Sequence, residues 1–334
     1  MIRFGIAGFG LHAVRRLMPG FKLAQKCQVV ALSRRDPKKA REAAQQYSIP
    51  NTFGFTEELC RCPEVDAVLV TTPDACHCSD VLAAVRAGKP VLCEKPMAMN
   101  AGECRQMVEA AREAGVLLGV AQIFRFEEST ARLRERIAAG DIGHPVFARA
   151  EFSYPGTGHA RTWLYDPSIA AGGPIADVGV HCIDALRYIL QDEPRRVSAQ
   201  GHRDQGSGRV EAAAILTLEF QRGTLATVLV STRAQYRTPL EFVGDGGTLR
   251  AEDGLTVDRP VSLELWREGK LVATEAASNH LAYARQVDAF ASAIEGSPPF
   301  PVPGEEGWQN QLILDSAYRS LSSGKAEDVT ILAK

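Results

Sequence analysis

The chain has no surplus of positive charge: 38 Lys and Arg stand against 40 Asp and Glu in 334 residues, with no long run of either sign. That excludes the electrostatic footprint of a nucleic-acid binder, which needs clustered Lys and Arg to displace counterions from phosphates. No apolar run approaches the ~18 residues of a membrane span. Met1 leads straight into an apolar run at 2–7, without the charged start and cleavage site of an export signal. A cytoplasmic location with no membrane or nucleic-acid partner is therefore expected. Of the eight cysteines, Cys60 and Cys62 are separated by a single residue, as are Cys76 and Cys78 around His77. Zinc knuckles leave roughly two to four residues between their cysteines, so no metal is expected and the thiols read as small hydrophobes.

What is present is an ordinary globular composition, 45% hydrophobic and 23% charged, at a length that suggests two domains. Unbroken apolar runs at 2–7, 29–33, 65–71, 90–94 and 116–121 alternate with helical segments. Unbroken runs suit parallel strands covered on both faces, so residues 1–121 read as a doubly wound Rossmann domain. Helix punctuation agrees. Ser79 or Asp80 can start a helix that Gly88 stops, and Asn100 can cap one that Gly115 stops. From residue 122 to 334 the pattern becomes alternating strands broken by turns such as Gln221-Arg222-Gly223, with a helix at 174–190 and two more near 281–294 and 305–322. An α+β domain with a largely antiparallel, open sheet is expected there, serving substrate binding and oligomerisation.

The first run ends in Gly8-Phe9-Gly10-Leu11-His12-Ala13, a G-x-G-x-x-A pattern entering a helix. Gly8 permits the tight turn, Gly10 lets the backbone approach a pyrophosphate, and Ala13 lets helix pack on strand. The free N–H groups of the helix start face the anion, so Phe9, Leu11 and His12 border the cofactor as well. The second run ends in Ser33-Arg34-Arg35 rather than in a carboxylate. A carboxylate there binds a free ribose 2′-hydroxyl, whereas Ser33 with Arg34 or Arg35 suits a 2′-phosphate. Asp36 precedes Pro37 and reads as a helix cap. NADP is favoured, with NAD as the alternative.

Two further constellations carry chemistry. Glu94-Lys95-Pro96 follows a strand end, where ligands of open α/β sheets collect. Gly172-Gly173-Pro174 opens a helix in which Asp177 and His181 stand four apart, and Gly179 between them suggests a close approach to the backbone. Histidine is the natural acid or base near neutral pH. Spacing alone favours an ordinary Asp and His pair on a wet helix face. His159, Arg161 and Trp163, in the loop before the glycine pair, are substrate candidates by polarity and position.

Taken together, G-x-G-x-x-A, Glu94-Lys95-Pro96 and Gly172-Gly173 followed by Asp177-x-Gly179-x-His181 resemble the Gfo/Idh/MocA oxidoreductases. The resemblance spans essentially the whole chain, including Thr71-Thr72-Pro73 with His77. It implies NAD(P)-dependent oxidation or reduction of sugars, cyclitols and related alcohols, in a homodimer or homotetramer. It makes Lys95, Asp177 and His181 the catalytic residues and substrate contacts, and places Thr71, Thr72, Pro73, His77, Glu94, Lys95 and Gln122 beside the cofactor. Gln122-Ile123 departs from the asparagine, tyrosine or histidine that many members have before the Arg-Phe pair, here Arg125-Phe126. Two other functions use such a fold: a non-catalytic dinucleotide or sugar sensor, and a glycosidase that holds NAD permanently and recycles the hydride.

Overall fold

The computed structural model describes residues 1–156, 162–296 and 298–333, which form two compact units. Six parallel strands make the sheet of the first: β1 Ile2–Ala7, β2 Cys27–Ser33, β3 Asn51–Phe53, β4 Ala67–Val70, β5 Val91–Cys93 and β6 Leu118–Val120. Their order is β3-β2-β1-β4-β5-β6, so the winding reverses between β1 and β4 and the loops leaving those two strands diverge. Crevices of this kind receive dinucleotides. β3 has no counterpart among the apolar runs. It is an edge strand of three residues, Asn-Thr-Phe, none of them buried, so it carries no hydrophobic signature.

The helix expected from Ser79 or Asp80 begins earlier and runs Asp74–Arg86, with Pro73 in an extended conformation as its cap. Asp80 sits inside it and accepts from Thr72 Oγ1 at 2.6 Å. Asn100 and Gly115 do bound a helix, Ala101–Ala114: the Asn100 side chain accepts from Glu103 N, and Gly115 adopts φ +64°.

A single boundary after residue 121 does not describe the units. The first comprises 1–123 together with 283–308. Packing explains the return. Asp288, on the helix Ala282–Ile294, accepts from the backbone N–H groups of Gln25 and Lys26 at 2.8–3.0 Å. Phe290 of that helix packs against Phe4 of β1 and against Phe300, and Val120 N donates to Val302 O at 2.9 Å. A hydrophobic run reports that a helix buries a face, not against which sheet.

The second unit, residues 124–282 with the chain from 309 onward, is built on nine strands. They are β7 Pro145–Ser153, β8 Pro194–His202, β9 Ala213–Phe220, β10 Leu225–Ser231, β11 Leu240–Gly244, β12 Thr248–Ala251, β13 Val261–Arg267, β14 Lys270–Ala277 and β15 Glu327–Asp328. The order is β14-β13-β12-β11-β7-β10-β9-β8-β15, antiparallel except where β7 meets β10. Ala214, Leu216, Leu218 and Phe220 of β9 face the core while Ile215 and Thr217 face out, the period-two alternation of a half-covered sheet. The helix Val180–Leu190 packs on β7. No helix among the described residues is long and apolar enough to cross a membrane.

Candidate functional site

In the first unit, Gly8 adopts φ +78°, and a Cβ there would lie 2.6–2.8 Å from the side chain and backbone of Thr72. Only glycine fits. Gly10 differs: a Cβ would meet nothing closer than Gly8 O at 3.5 Å, so no protein atom demands a glycine and the space in front is open. That is the cradle a pyrophosphate needs. The helix that follows carries a π turn over Ala13–Leu17, where Met18 N–H reaches back to Ala13 O, a distortion frequent at functional sites. Phe9 is buried with its ring against Tyr47, so its side chain supports the turn from within and only its backbone borders the cradle. Leu11 and His12 are half-buried.

Ser33, expected on a 2′-phosphate, is 3% exposed and its hydroxyl accepts from Gly8 N at 3.2 Å. It braces the glycine turn, because β2 lies directly beside β1. Asp36 caps the helix Pro37–Tyr47, accepting from Lys38 N and Lys39 N at 3.0 and 3.1 Å. Those N–H groups, Lys39 foremost, hold its carboxyl below the usual range. Arg34 is half-buried and Arg35 exposed, and among the described residues neither guanidinium makes a hydrogen bond or ion pair.

The loops after β4 and β5 complete this cluster. Thr71 Oγ1 donates to Ala7 O and Gly8 O at 3.0 Å, binding the β4 loop to the glycine turn. Glu94 is buried; its Oε1 pairs with His12 Nε2 at 2.9 Å and its Oε2 accepts Lys95 N–H at 3.2 Å. Burial pushes the Glu94 carboxyl up, but His12 and Lys95 outweigh it and hold it below the usual range. Lys95 is half-buried and joined to Pro96 by a cis peptide. Gln122 follows β6, buried, and its Oε1 has no hydrogen-bond partner among the described residues. His77, expected beside the cofactor, is buried with both ring nitrogens facing backbone carbonyls. The open face of Gly10 and the orphaned Gln122 oxygen fit a nicotinamide dinucleotide, which the chain's residues Gly8, Gly10, Thr71, Thr72, Glu94 and Gln122 would hold.

In the second unit, Gly172 and Gly173 are required by packing. A Cβ on Gly172 would collide with Tyr318 Oη, and one on Gly173 with the backbone of Glu211. The buried Glu211 carboxylate accepts from Gly173 N, Ile175 N and Tyr318 Oη at 2.9–3.3 Å, and so anchors the start of the helix that bears the candidate residues. That start is a second π turn, Ile175–Gly179, running into Val180–Leu190. A Cβ on Gly179 would meet Pro174 O at 3.3 Å and a Val230 methyl at 3.4 Å, so the space there is closed by the protein rather than an open approach.

Asp177 and His181 are both buried rather than on a wet face. Tyr154 Oη donates to Asp177 Oδ2 at 2.7 Å, and the His181 ring lies edge-on to Phe124 at 4.7 Å and stacks on Phe152 at 6.0 Å. Tyr154, Phe124 and Phe152 escape a sequence reading because no local spacing links them to the helix; only the i, i+2 alternation of β7 hints that Phe152 and Tyr154 share a face. Arg125 has a different task. It binds Asp184 through two nitrogens at 2.7–2.9 Å, in a buried network that continues through Asn310 and Arg187 to Glu193. Breaking such a pair by removing one partner costs about 3–5 kcal/mol, which marks Arg125 as architecture. Trp163 lies half-buried in the short turn Thr162–Tyr165, while His159 and Arg161 lie outside the described residues.

Two family models match this chain: the oxidoreductase family with an NAD-binding Rossmann fold over residues 2–122, and the GFO/IDH/MocA C-terminal domain over residues 130–250. The chain belongs to the GFO/IDH/MocA family. Its GFO/IDH/MocA relatives include the 1,5-anhydro-D-fructose reductase of Ensifer adhaerens, 32% identical over 331 residues, 98% of this chain and 99% of that one. A D-xylose 1-dehydrogenase (NADP(+)) of Haloferax volcanii is 30% identical over 328 residues, again covering 98% and 99%. Among solved structures, an aldose-aldose oxidoreductase from Caulobacter crescentus complexed with glycerol superposes with a TM-score of 0.91 at 24% identity, covering 98% and 99%, which shows the shared fold. This GFO/IDH/MocA protein is an NAD(P)-dependent oxidoreductase acting on hydroxyl or carbonyl groups.

Proposed function

We propose that the enzyme prefers NADP and transfers hydride between it and a hydroxyl or carbonyl of a sugar or cyclic polyol. The observation that carries the reading is the buried Asp177, hydrogen-bonded by Tyr154 and followed one turn later by His181. The bound dinucleotide supplies or accepts the hydride. Within the second unit His181 is the residue to take the hydroxyl proton in the oxidising direction and Asp177, oriented by Tyr154, the one to hold a neighbouring hydroxyl; within the first unit Lys95 is the cation available to charge developing on oxygen. Reduction reverses the proton's path. The full-length relatives named for an anhydro-sugar and an aldose support the substrate class.

The NADP preference rests on two guanidiniums that are uncommitted among the described residues and on an aspartate used up in capping. A panel of sugars and polyols with NADP and NAD, followed at the reduced-nicotinamide band, tests both parts. Turnover is expected with NADP, and Arg34→Ala together with Arg35→Ala is expected to lower the NADP over NAD preference about 10–100-fold, the worth of one or two charge-assisted contacts. An unchanged preference removes the phosphate clamp. Cofactor that bleaches without reduced nicotinamide accumulating points instead to the hydride-recycling glycosidase.

A homo-oligomer is the proposed assembly, through the outer face of the second unit's sheet. Leu225, Phe147 and Val243 stand opposite one another across β10, β7 and β11, and Phe147 and Ile215 are 54% and 52% exposed. Contiguous apolar surface of this sort is uncommon on a monomer. Phe147→Glu with Leu225→Glu is expected to halve or quarter the mass seen by light scattering; a native chain that is already monomeric overturns the assembly.

A further inference from the structure

Lys95 needs more than a place at a strand end; its turn has to be held. We infer that His77 is a positioning residue that clasps the Lys95 turn to the Thr71-Thr72-Pro73 turn by donating an N–H to a backbone carbonyl on each. The ring is 1% exposed, with Nδ1 2.9 Å from Pro96 O and Nε2 2.8 Å from Thr72 O. Both distances are those of full hydrogen bonds, and both carbonyls can only accept. A neutral imidazole carries one N–H, so it would leave its other nitrogen facing a carbonyl lone pair to lone pair. At this depth such an unmade bond is costly. The clasp therefore requires an N–H on each ring nitrogen.

The position of this clasp gives it consequence. Lys95 is tied on its N-terminal side through Glu94, which accepts Lys95 N–H and pairs with His12 on the cofactor helix. His77 ties its C-terminal side through Pro96. The second carbonyl that His77 holds belongs to Thr72, the residue whose atoms lie over Gly8. One histidine thus joins the loops that carry the lysine and the glycine turn. Asp80, on the same helix, feels the charge of the ring and is fixed by Thr72 Oγ1 at 2.6 Å. Desolvation pushes the Asp80 carboxyl up, while the hydroxyls of Thr72 and Thr56 and the charge of His77 pull against it.

The kinetic half of this inference rests on the proposed role of Lys95, and the spectroscopic half does not. In the full-length ¹⁵N-labelled chain at neutral pH, both His77 ring nitrogens are expected to show attached protons, in signals that His77→Gln and His77→Phe remove. A His77 ring with a single protonated nitrogen overturns the clasp. In kinetics, displacing a reacting group by about 1 Å costs about 100-fold, so kcat is expected to fall about 10-fold in His77→Gln, which keeps one donor, and about 100-fold in His77→Phe. The dissociation constant of the reduced nucleotide should rise by less than kcat falls, because the Gly8 turn keeps its bonds with Ser33 and Thr71 while the Lys95 turn loses its tie at Pro96. If His77→Phe does not fold, His77→Gln carries the comparison. Folded variants with native kcat, beside a Lys95→Met that has lost activity, overturn the positioning role. An active Lys95→Met instead refutes the catalytic reading of the lysine and leaves the ring spectrum to decide the clasp.

Discussion

His181→Ala and Lys95→Met are each expected to lower the rate of hydride transfer by about 10²–10⁴, with the folded state intact. His181 lies on a helix whose start is anchored by Glu211, and its ring is gripped between Phe124 and Phe152. Removing the imidazole therefore takes away the proposed proton acceptor without releasing the helix that held it. Lys95→Met keeps the length and the apolar stem and removes only the ammonium, so lost activity reports lost charge stabilisation rather than lost packing. Single-turnover measurement separates chemistry from product release. Near-native transfer in both variants would show that other groups move the proton and hold the oxygen.

A second large effect distinguishes the two glycines of the cofactor turn. Gly8→Ala places a Cβ 2.6–2.8 Å from Thr72 atoms, including backbone, at φ +78°. A non-glycine residue in that region costs of order 1–3 kcal/mol even without a clash. The loop after β4 must move, so both thermal stability and nucleotide affinity are expected to fall, the latter about 100-fold, equivalent to about 2.7 kcal/mol. Gly10→Ala meets only Gly8 O at 3.5 Å. It should leave the thermal midpoint nearly unchanged and still weaken nucleotide binding, because the added methyl occupies space meant for the diphosphate. Calorimetry on the three chains, with and without nucleotide, reads both quantities. Equal behaviour of the two variants would mean that the turn is set by the protein alone and that no ligand approaches Gly10.

Much of the first unit is legible in the amino-acid order because its determinants are local. An unbroken apolar run followed by G-x-G-x-x-A specifies a buried strand, a tight turn and a helix within a dozen or so residues, and Asp36, Asn100 and Gly115 each bound helices by hydrogen bonds to near neighbours. The edge strand β3 shows where that legibility ends: Asn51, Thr52 and Phe53, none of them buried, pair with β2 only because the sheet is already there.

The candidate residues divide along the same line. Lys95, Asp177 and His181 announce themselves by residue type and motif. Their surroundings do not. Tyr154 reaches Asp177 from 23 residues away, Glu211 anchors the helix of the candidate residues from 36, and Ser33 braces Gly8 from 25. Such pairings depend on which strands become neighbours, a property of sheet order rather than of any window of sequence. The same holds for the chain's return at 283–308 to the first unit, decided by Asp288 meeting two N–H groups at the start of β2 and by Phe290 meeting Phe4. Sequence alone therefore determined the chemistry this chain carries and the kind of cofactor it takes, since both reside in residue types at short spacing. Tertiary structure alone decided which of those residues are buried and which hold the others still, because burial and hydrogen-bond partners are set by contacts between distant segments.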